Sequence, residues 1–204
     1  MTARYQEIAF TPAVKAEQEA NGSRQAYARR AVETSEPDRL TENEAAFIAA
    51  ADSFYMATVT ETGWPYLQHR GGPAGFVKIL DDRTIGIADF RGNRQYVSLG
   101  NLSRDDRAAL FFMDYPRQAR LKLFARVRAV ALAEQDELAR KLVDKGYKAR
   151  VERALLFDIE AFDWNCSQHI TPRYTVEQIA PSLQKLQTRI EELEKELKRL
   201  SPTA

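Results

Sequence analysis

Phe54-Tyr55-Met56-Ala57-Thr58-Val59-Thr60, closed by Glu61-Thr62-Gly63 and resumed by Trp64-Pro65-Tyr66-Leu67, sets the character of the middle of the chain. The first run is rich in aromatic and β-branched residues and the break is a turn, so the stretch reads as strand, turn, strand. The pattern continues downstream. Residues 76–80 and 84–88 flank Asp81-Asp82-Arg83, which reads as a hairpin. Residues 108–113 and 119–133 flank Asp114-Tyr115-Pro116, and residues 154–164 supply a last strand. Residues 134–145 look helical and end at Gly146, where a C′ glycine is expected. About six strands joined by short turns predict an antiparallel barrel, not a βαβ sheet.

Outward from this centre, the periodicity changes on both sides. Residues 1–52 read as a polar, helical segment. Within it, Asn21-Gly22-Ser23 separates two helices and Pro37 breaks the pattern. Thr41-Glu42-Asn43-Glu44 forms a capping box ahead of a further helix. Residues 53–174 are the barrel, and 175–204 a terminal helix. In that helix Val176, Ile179, Leu183, Leu186, Ile190, Leu193, Leu197 and Leu200 recur at alternating spacings of three and four, a heptad seam. Glu191–Lys195 and Glu194–Lys198 offer i,i+4 pairs, and Pro181 suits the first helical position. The seam has two possible destinations, another helix or the chain's own barrel.

Composition narrows the classes. The 204 residues are 44% apolar and 29% charged with a net charge of +1, so no global field draws the chain to nucleic acid or membrane. Cys166 is the sole cysteine, which excludes an intrachain disulfide and a cysteine-built zinc site, and it reads as a small core residue. No signal-peptide pattern opens the sequence and no run approaches the ~18 apolar residues of a membrane span, so the expected location is cytoplasmic. Dinucleotide and P-loop glycine patterns, HExxH and G-x-S-x-G are all missing. Only His69 and His169 could serve as histidine ligands, and no protein-built metal site is expected.

What remains is a set of basic and amide residues near strand ends. His69-Arg70 closes a strand before the flexible loop Gly71-Gly72-Pro73-Ala74-Gly75, and Lys78 lies in the next strand. Arg91-Gly92-Asn93-Arg94-Gln95 joins a strand to a helical stretch at 96–102. A glycine-containing turn flanked by arginines suits an anion, because amides and guanidinium groups converge on it; it equally suits plain surface exposure. Arg117-Gln118-Ala119-Arg120 opens another strand, where Gln118 can both donate and accept. Trp164, close ahead of His169 and Arg173, fits either a core position or the rim of an aromatic ligand.

In this order the motifs resemble the pyridoxamine-5′-phosphate-oxidase-like, FMN-binding split barrels. The resemblance covers roughly residues 54–173. The family's Arg and Lys on neighbouring strands are matched by Arg70 and Lys78. Its Gly-Ser-Arg-Lys turn is matched by Gly92-Asn93-Arg94-Gln95, its Arg-Gln pair by Arg117-Gln118, and its Trp followed by Arg by Trp164 and Arg173. With Phe10-Thr11-Pro12 and the heptads, the chain looks like a branch of predicted flavin-nucleotide-binding proteins. The resemblance implies a mainly β fold with α elements, an antiparallel split β-barrel carrying N-terminal helices and a C-terminal heptad helix. It also implies a homodimer with FMN at the interface, contacted by Arg70, Lys78, Asp89, Asn93, Arg94, Gln95, Gln118, Trp164 and Arg173. Trp164 and Arg173 would come from the partner subunit.

Two departures shape the functional expectation. Gln95 replaces the turn lysine, and the family's Arg-x-His-x-Arg reads His169, Thr171, Arg173 here. Without that Arg and His, bidentate recognition of a substrate phosphate is lost, so the namesake substrate is not expected. The reading is a flavin-dependent oxidoreductase acting on an unknown small molecule, with no nucleic acid or membrane partner. His169 is the best general acid or base, against a structural role. A non-catalytic flavin-binding or interaction protein is the alternative, and a deazaflavin or haem in place of FMN is a third.

Overall fold

The computed structural model describes residues 1–28, 36–133, 135–164 and 168–200. Cys166 lies outside these residues, as does the second half of the predicted helical stretch after Ser23. Seven strands, β1 Ser53–Val59, β2 Pro65–Gly71, β3 Lys78–Ile79, β4 Thr84–Phe90, β5 Arg107–Asp114, β6 Ala119–Val130 and β7 Val151–Trp164, form one sheet in the order β2-β1-β5-β6-β7-β4-β3. Every neighbouring pair is antiparallel. The fold is the expected split barrel, with helices ahead of it and one helix after it.

Alternation fills the interior. On β6, Leu121, Leu123, Ala125 and Val127 point inward and are at most 4% exposed. Phe54 stacks on Phe112 at 4.9 Å and meets Phe157 edge-on at 5.9 Å, so three strands contribute to one aromatic centre. A bulge at Phe124/Ala125 shifts the β6–β7 register and lets these long strands bend around that centre.

Among the described residues, four helices precede the sheet: α1 Ala3–Ala9, α2 Pro12–Ala20, α3 Arg24–Ala28 and α4 Glu42–Ala49. Asn21-Gly22-Ser23 ends α2, with Gly22 at φ 73°. The capping box at Thr41 and Glu44 is formed. Helix α5 is Val97–Leu102 and α6 is Asp136–Leu142.

Three expectations need correction. Helix α6 ends at Leu142, because Val143 turns extended at ψ 114°; Gly146 instead gives its amide to Asp144 Oδ1 at 2.8 Å in a side-chain-closed turn. Residues 76–80 yield only the two-residue β3, since the amide of Phe76 is taken by the Pro73 carbonyl at 2.9 Å. The preceding glycine loop is pinned, not loose: the amides of Gly72 and Gly75 bond the carbonyls of Asp52 and Ala51.

The terminal helix α7 runs Val176–Leu200 and so starts five residues before Pro181. Thr175 and Gln178 cap it reciprocally, the Thr175 amide donating to Gln178 Oε1 at 2.9 Å and the Gln178 amide to Thr175 Oγ1 at 3.3 Å. Pro181 sits inside the helix at the cost of one backbone bond. No residue of α7 is buried, so the seam does not fold back on its own barrel. Glu191–Lys195 and Glu194–Lys198 stay open while Arg189 pairs Glu192 at 3.0 Å; long solvated side chains gain little from any one such pairing.

Candidate functional site

Strand β2 lies at the sheet edge and divides the candidate residues between its two faces. Residues opposite each other in an antiparallel pair share a face. Thr58, Met56 and Phe54 stand opposite Tyr66, Gln68 and Arg70, whereas Ala57 and Tyr55 stand opposite Leu67 and His69. Of the first set, Tyr66, Gln68 and Arg70 border a polar pocket of about 200 Å³. Of the second, Tyr55 and Leu67 border an outer cleft of about 490 Å³.

Arg70, Asp89, Asn93, Arg94 and Gln95 all line the polar pocket, joined by Tyr66, Gln68, Tyr96 and Glu152. Arg70 donates to Asp89 Oδ1 at 2.7 Å, while its Nε is buried with no partner. Arg153 approaches the other Asp89 oxygen at 3.4 Å and lies over the Tyr96 ring at 5.5 Å. Burial pushes the Asp89 carboxyl up from its ordinary value, and the charges of Arg70 and Arg153 pull it only partly back. Burial also works against Glu152, yet bonds from Arg153 and Tyr96 prevail and hold its carboxyl below the ordinary value.

The turn that closes this pocket is backbone-strained. Arg94 has φ 63° and Tyr96 φ 54°, the left-handed region that costs a non-glycine residue energy. The Asn93 side chain steadies it by accepting the Gln95 amide at 3.1 Å. The Arg94 side chain is exposed at the rim. Lys78 stands apart from the pocket, its Nζ donating to the Gly75 carbonyl at 2.5 Å.

The other candidates gather at the outer cleft. His169, Arg173, Arg120, Tyr115 and Tyr55 line it. Arg173 lies over the Tyr115 ring at 4.8 Å, and the Arg120 Nε is buried without a partner. Gln118 donates to the Ile170 carbonyl at 2.6 Å, tying the β5–β6 turn to the segment that carries His169. Gln118 at φ 52° and His169 at φ 65° complete the set: every described non-glycine residue with positive φ borders one of the two hollows or bonds its wall. Leu67, at 64% exposed, and neighbouring Trp64 and Val59 leave an apolar strip on this face.

Trp164 belongs to neither hollow. Its indole donates to Glu44 Oε1 at 2.6 Å and its ring meets Phe47 edge-on at 4.8 Å, which fastens α4 to the end of β7. Glu44 is thereby shared between the capping box and Trp164. The sequence reading did not single out Glu152, Arg153 or Tyr96. Arg153 stands opposite Asp89 through the β4–β7 pairing, a contact across 64 positions that no local motif announces.

A family model described as pyridoxamine 5′-phosphate oxidase matches residues 40–181. The chain belongs to the pyridoxamine 5′-phosphate oxidase family. Among solved structures, HupZ from Group A Streptococcus is 15% identical, covers 66% of this chain and 99% of its own, and superposes with a TM-score of 0.50. A protein related to general stress protein 26 from Clostridium acetobutylicum is 14% identical over 67% of this chain and 94% of its own, with a TM-score of 0.45. A FAD-binding protein from Mesorhizobium loti is 11% identical over 61% and 94%, with a TM-score of 0.45. At these identities the likeness concerns the fold. Comparison with curated proteins gives no match. Among the described residues, no helix is long and apolar enough to cross a membrane, and no three His, Cys, Asp or Glu gather as metal ligands.

Proposed function

We propose that the chain is an FMN-dependent oxidoreductase, with FMN held between two subunits. The observation that carries this reading is the polar pocket. Arg70 lines it, Arg94 stands at the rim, and the strained 93–96 turn closes the wall. Two guanidinium groups beside a tight turn suit an anion, and a phosphate monoester is of that kind. Asp89 competes for the same Arg70, so phosphate entry would loosen a bond already made.

A pocket of about 200 Å³ is too small for a whole flavin nucleotide, so the ring must lie elsewhere. The outer cleft faces the opposite side of β2, and a second subunit could present its own copy, with Arg173 and His169, to the ring. The exposed apolar strip beside the cleft supports such a contact. Bound FMN would supply hydride or electron transfer. The residues of this chain would hold the phosphate through Arg70, Arg94 and the turn, and cover the ring from the partner side.

Pyridoxamine phosphate is not the expected substrate. His169 and Thr171 stand where the resemblance would require Arg and His, leaving Arg173 as the remaining cation of that motif. A steady-state assay of pyridoxal phosphate formation should give negligible turnover, and NAD(P)H oxidation by the flavin-loaded protein should proceed. Efficient pyridoxamine phosphate oxidation would overturn the substrate argument. The exposed helical seam favours a second reading, a flavin-binding protein whose helix serves association; NAD(P)H turnover absent from flavin-loaded protein would select it.

A further inference from the structure

We infer that α7 pairs with α7 of a second copy as a parallel, in-register, two-stranded coiled coil. The inference stands on the helix and not on the flavin reading. The seam is continuous from Val176 to Leu200 and wholly unpartnered within the chain: Leu183, Leu186 and Ile190 are each more than half exposed. With Val176 at position a, the β-branched Val176 and Ile190 occupy two of four a positions. Leu186, Leu193 and Leu200 occupy three of four d positions. β-branched a with Leu d is the pattern that favours two parallel strands.

Charge selects the same arrangement. The seam's flanks hold few charges: Arg189 and Glu196 at g, and Glu194 at e. In a parallel pair, a g residue faces the e residue five positions further along the partner, so Arg189 meets Glu194 of the other copy, twice by symmetry. In an antiparallel pair, g faces g, and Arg189 would lie against its own copy. Glu194 is free to accept, because the helix ion pair that Arg189 makes within the chain goes to Glu192, leaving Glu194 out. Pro181 and Thr188 fall at f, directly away from the seam, so the proline's missing amide does not disturb the pairing face.

The full-length protein tests this through crosslinking with native Cys166 changed to Ser. A disulfide needs Cα atoms within about 7 Å, which parallel d positions meet and f positions do not. On a denaturing gel after mild oxidation, Leu193→Cys should run as a covalent dimer, while Thr188→Cys should run as a single chain. Adding Arg189→Glu should slow the Leu193→Cys reaction, and Arg189→Glu with Glu194→Arg should restore it. Failure of Leu193→Cys to crosslink overturns the inference. So does a Leu183→Cys and Leu193→Cys mixture crosslinking in place of Leu193→Cys alone, which reports antiparallel helices. Failure of the double reversal to restore the rate removes the charge argument and overturns the parallel assignment. Flavin absorbance of the same samples reads the cofactor proposal separately: colourless protein that crosslinks refutes that proposal and leaves this one intact.

Discussion

Strand β6 and helix α7 carry equally regular apolar patterns and meet opposite fates. Along β6 every second residue from Leu121 to Val127 is sealed inside the barrel, whereas along α7 every seam residue stays open to solvent. Periodicity therefore specifies which face of an element needs cover and leaves the source of that cover unstated. For β6 the cover is local in space, because β5, β7 and Phe54 enclose it. For α7 it must come from outside the chain, since leaving the seam wet forgoes roughly 1.5–3 kcal/mol for each Leu or Ile that burial would protect.

The sharpest way to break this contrast is to cut both elements. Phe112→Ala, in the aromatic centre, should destabilise the protein by ~3–5 kcal/mol at any protein concentration. Leu186→Ala, on the seam, should give a loss in stability that fades as the protein is diluted, because only the associated state buries that side chain. A concentration-independent loss at Leu186 would mean the seam packs within one chain after all. Urea unfolding at two concentrations measures both.

Next in size is the polar pocket. Arg94→Ala should weaken FMN binding by about 1.5–3 kcal/mol, the range of a charge-assisted hydrogen bond, in a titration of apoprotein. Lys78→Ala should weaken it less, because that ammonium is held on the Gly75 carbonyl and away from the pocket. Equal affinities for Arg94→Ala and the parent would remove Arg94 from the phosphate site.

The strands, the hairpins, the capping box and the heptads were legible because each is written in neighbouring residues. Local writing also misled. Gly146 looks like a helix end, but the chain leaves the helix three residues earlier, and Pro181 looks like a helix start although Thr175 and Gln178 already cap the helix. The pocket was half legible: the 92–95 turn and Arg70 stand out in sequence, but Arg153 and Glu152 reach it only through the β4–β7 pairing. Nor does the sequence reveal which face of β2 Arg70 takes and which His69 takes until its register with β1 is known.

Removing residues 182–204 should leave a folded barrel that still binds flavin, with a lower melting temperature. The pocket residues all precede α7, so the helix adds association without building the pocket. A truncated protein that cannot bind flavin would make α7 part of the site. An unchanged melting temperature would mean that the seam is not covered by a second copy in the full-length protein.

The smallest effect concerns Asp89. Its carboxyl is raised in the folded protein, so the folded state binds the proton more tightly than the unfolded chain. Stability contributed by this group therefore falls as pH climbs from about 4 through the folded value. Asp89→Asn should gain on the parent across that rise when unfolding is followed at several pH values. The parent gaining on the variant instead would mean that Arg70 and Arg153 outweigh burial.

The central claim is that this pocket and cleft hold FMN, and the absorbance spectrum of the purified protein, followed by the mass of the ligand released on denaturation, tests it most directly. The account predicts a flavin spectrum and the mass of FMN. A colourless protein, or a deazaflavin or haem spectrum with the corresponding mass, would contradict it.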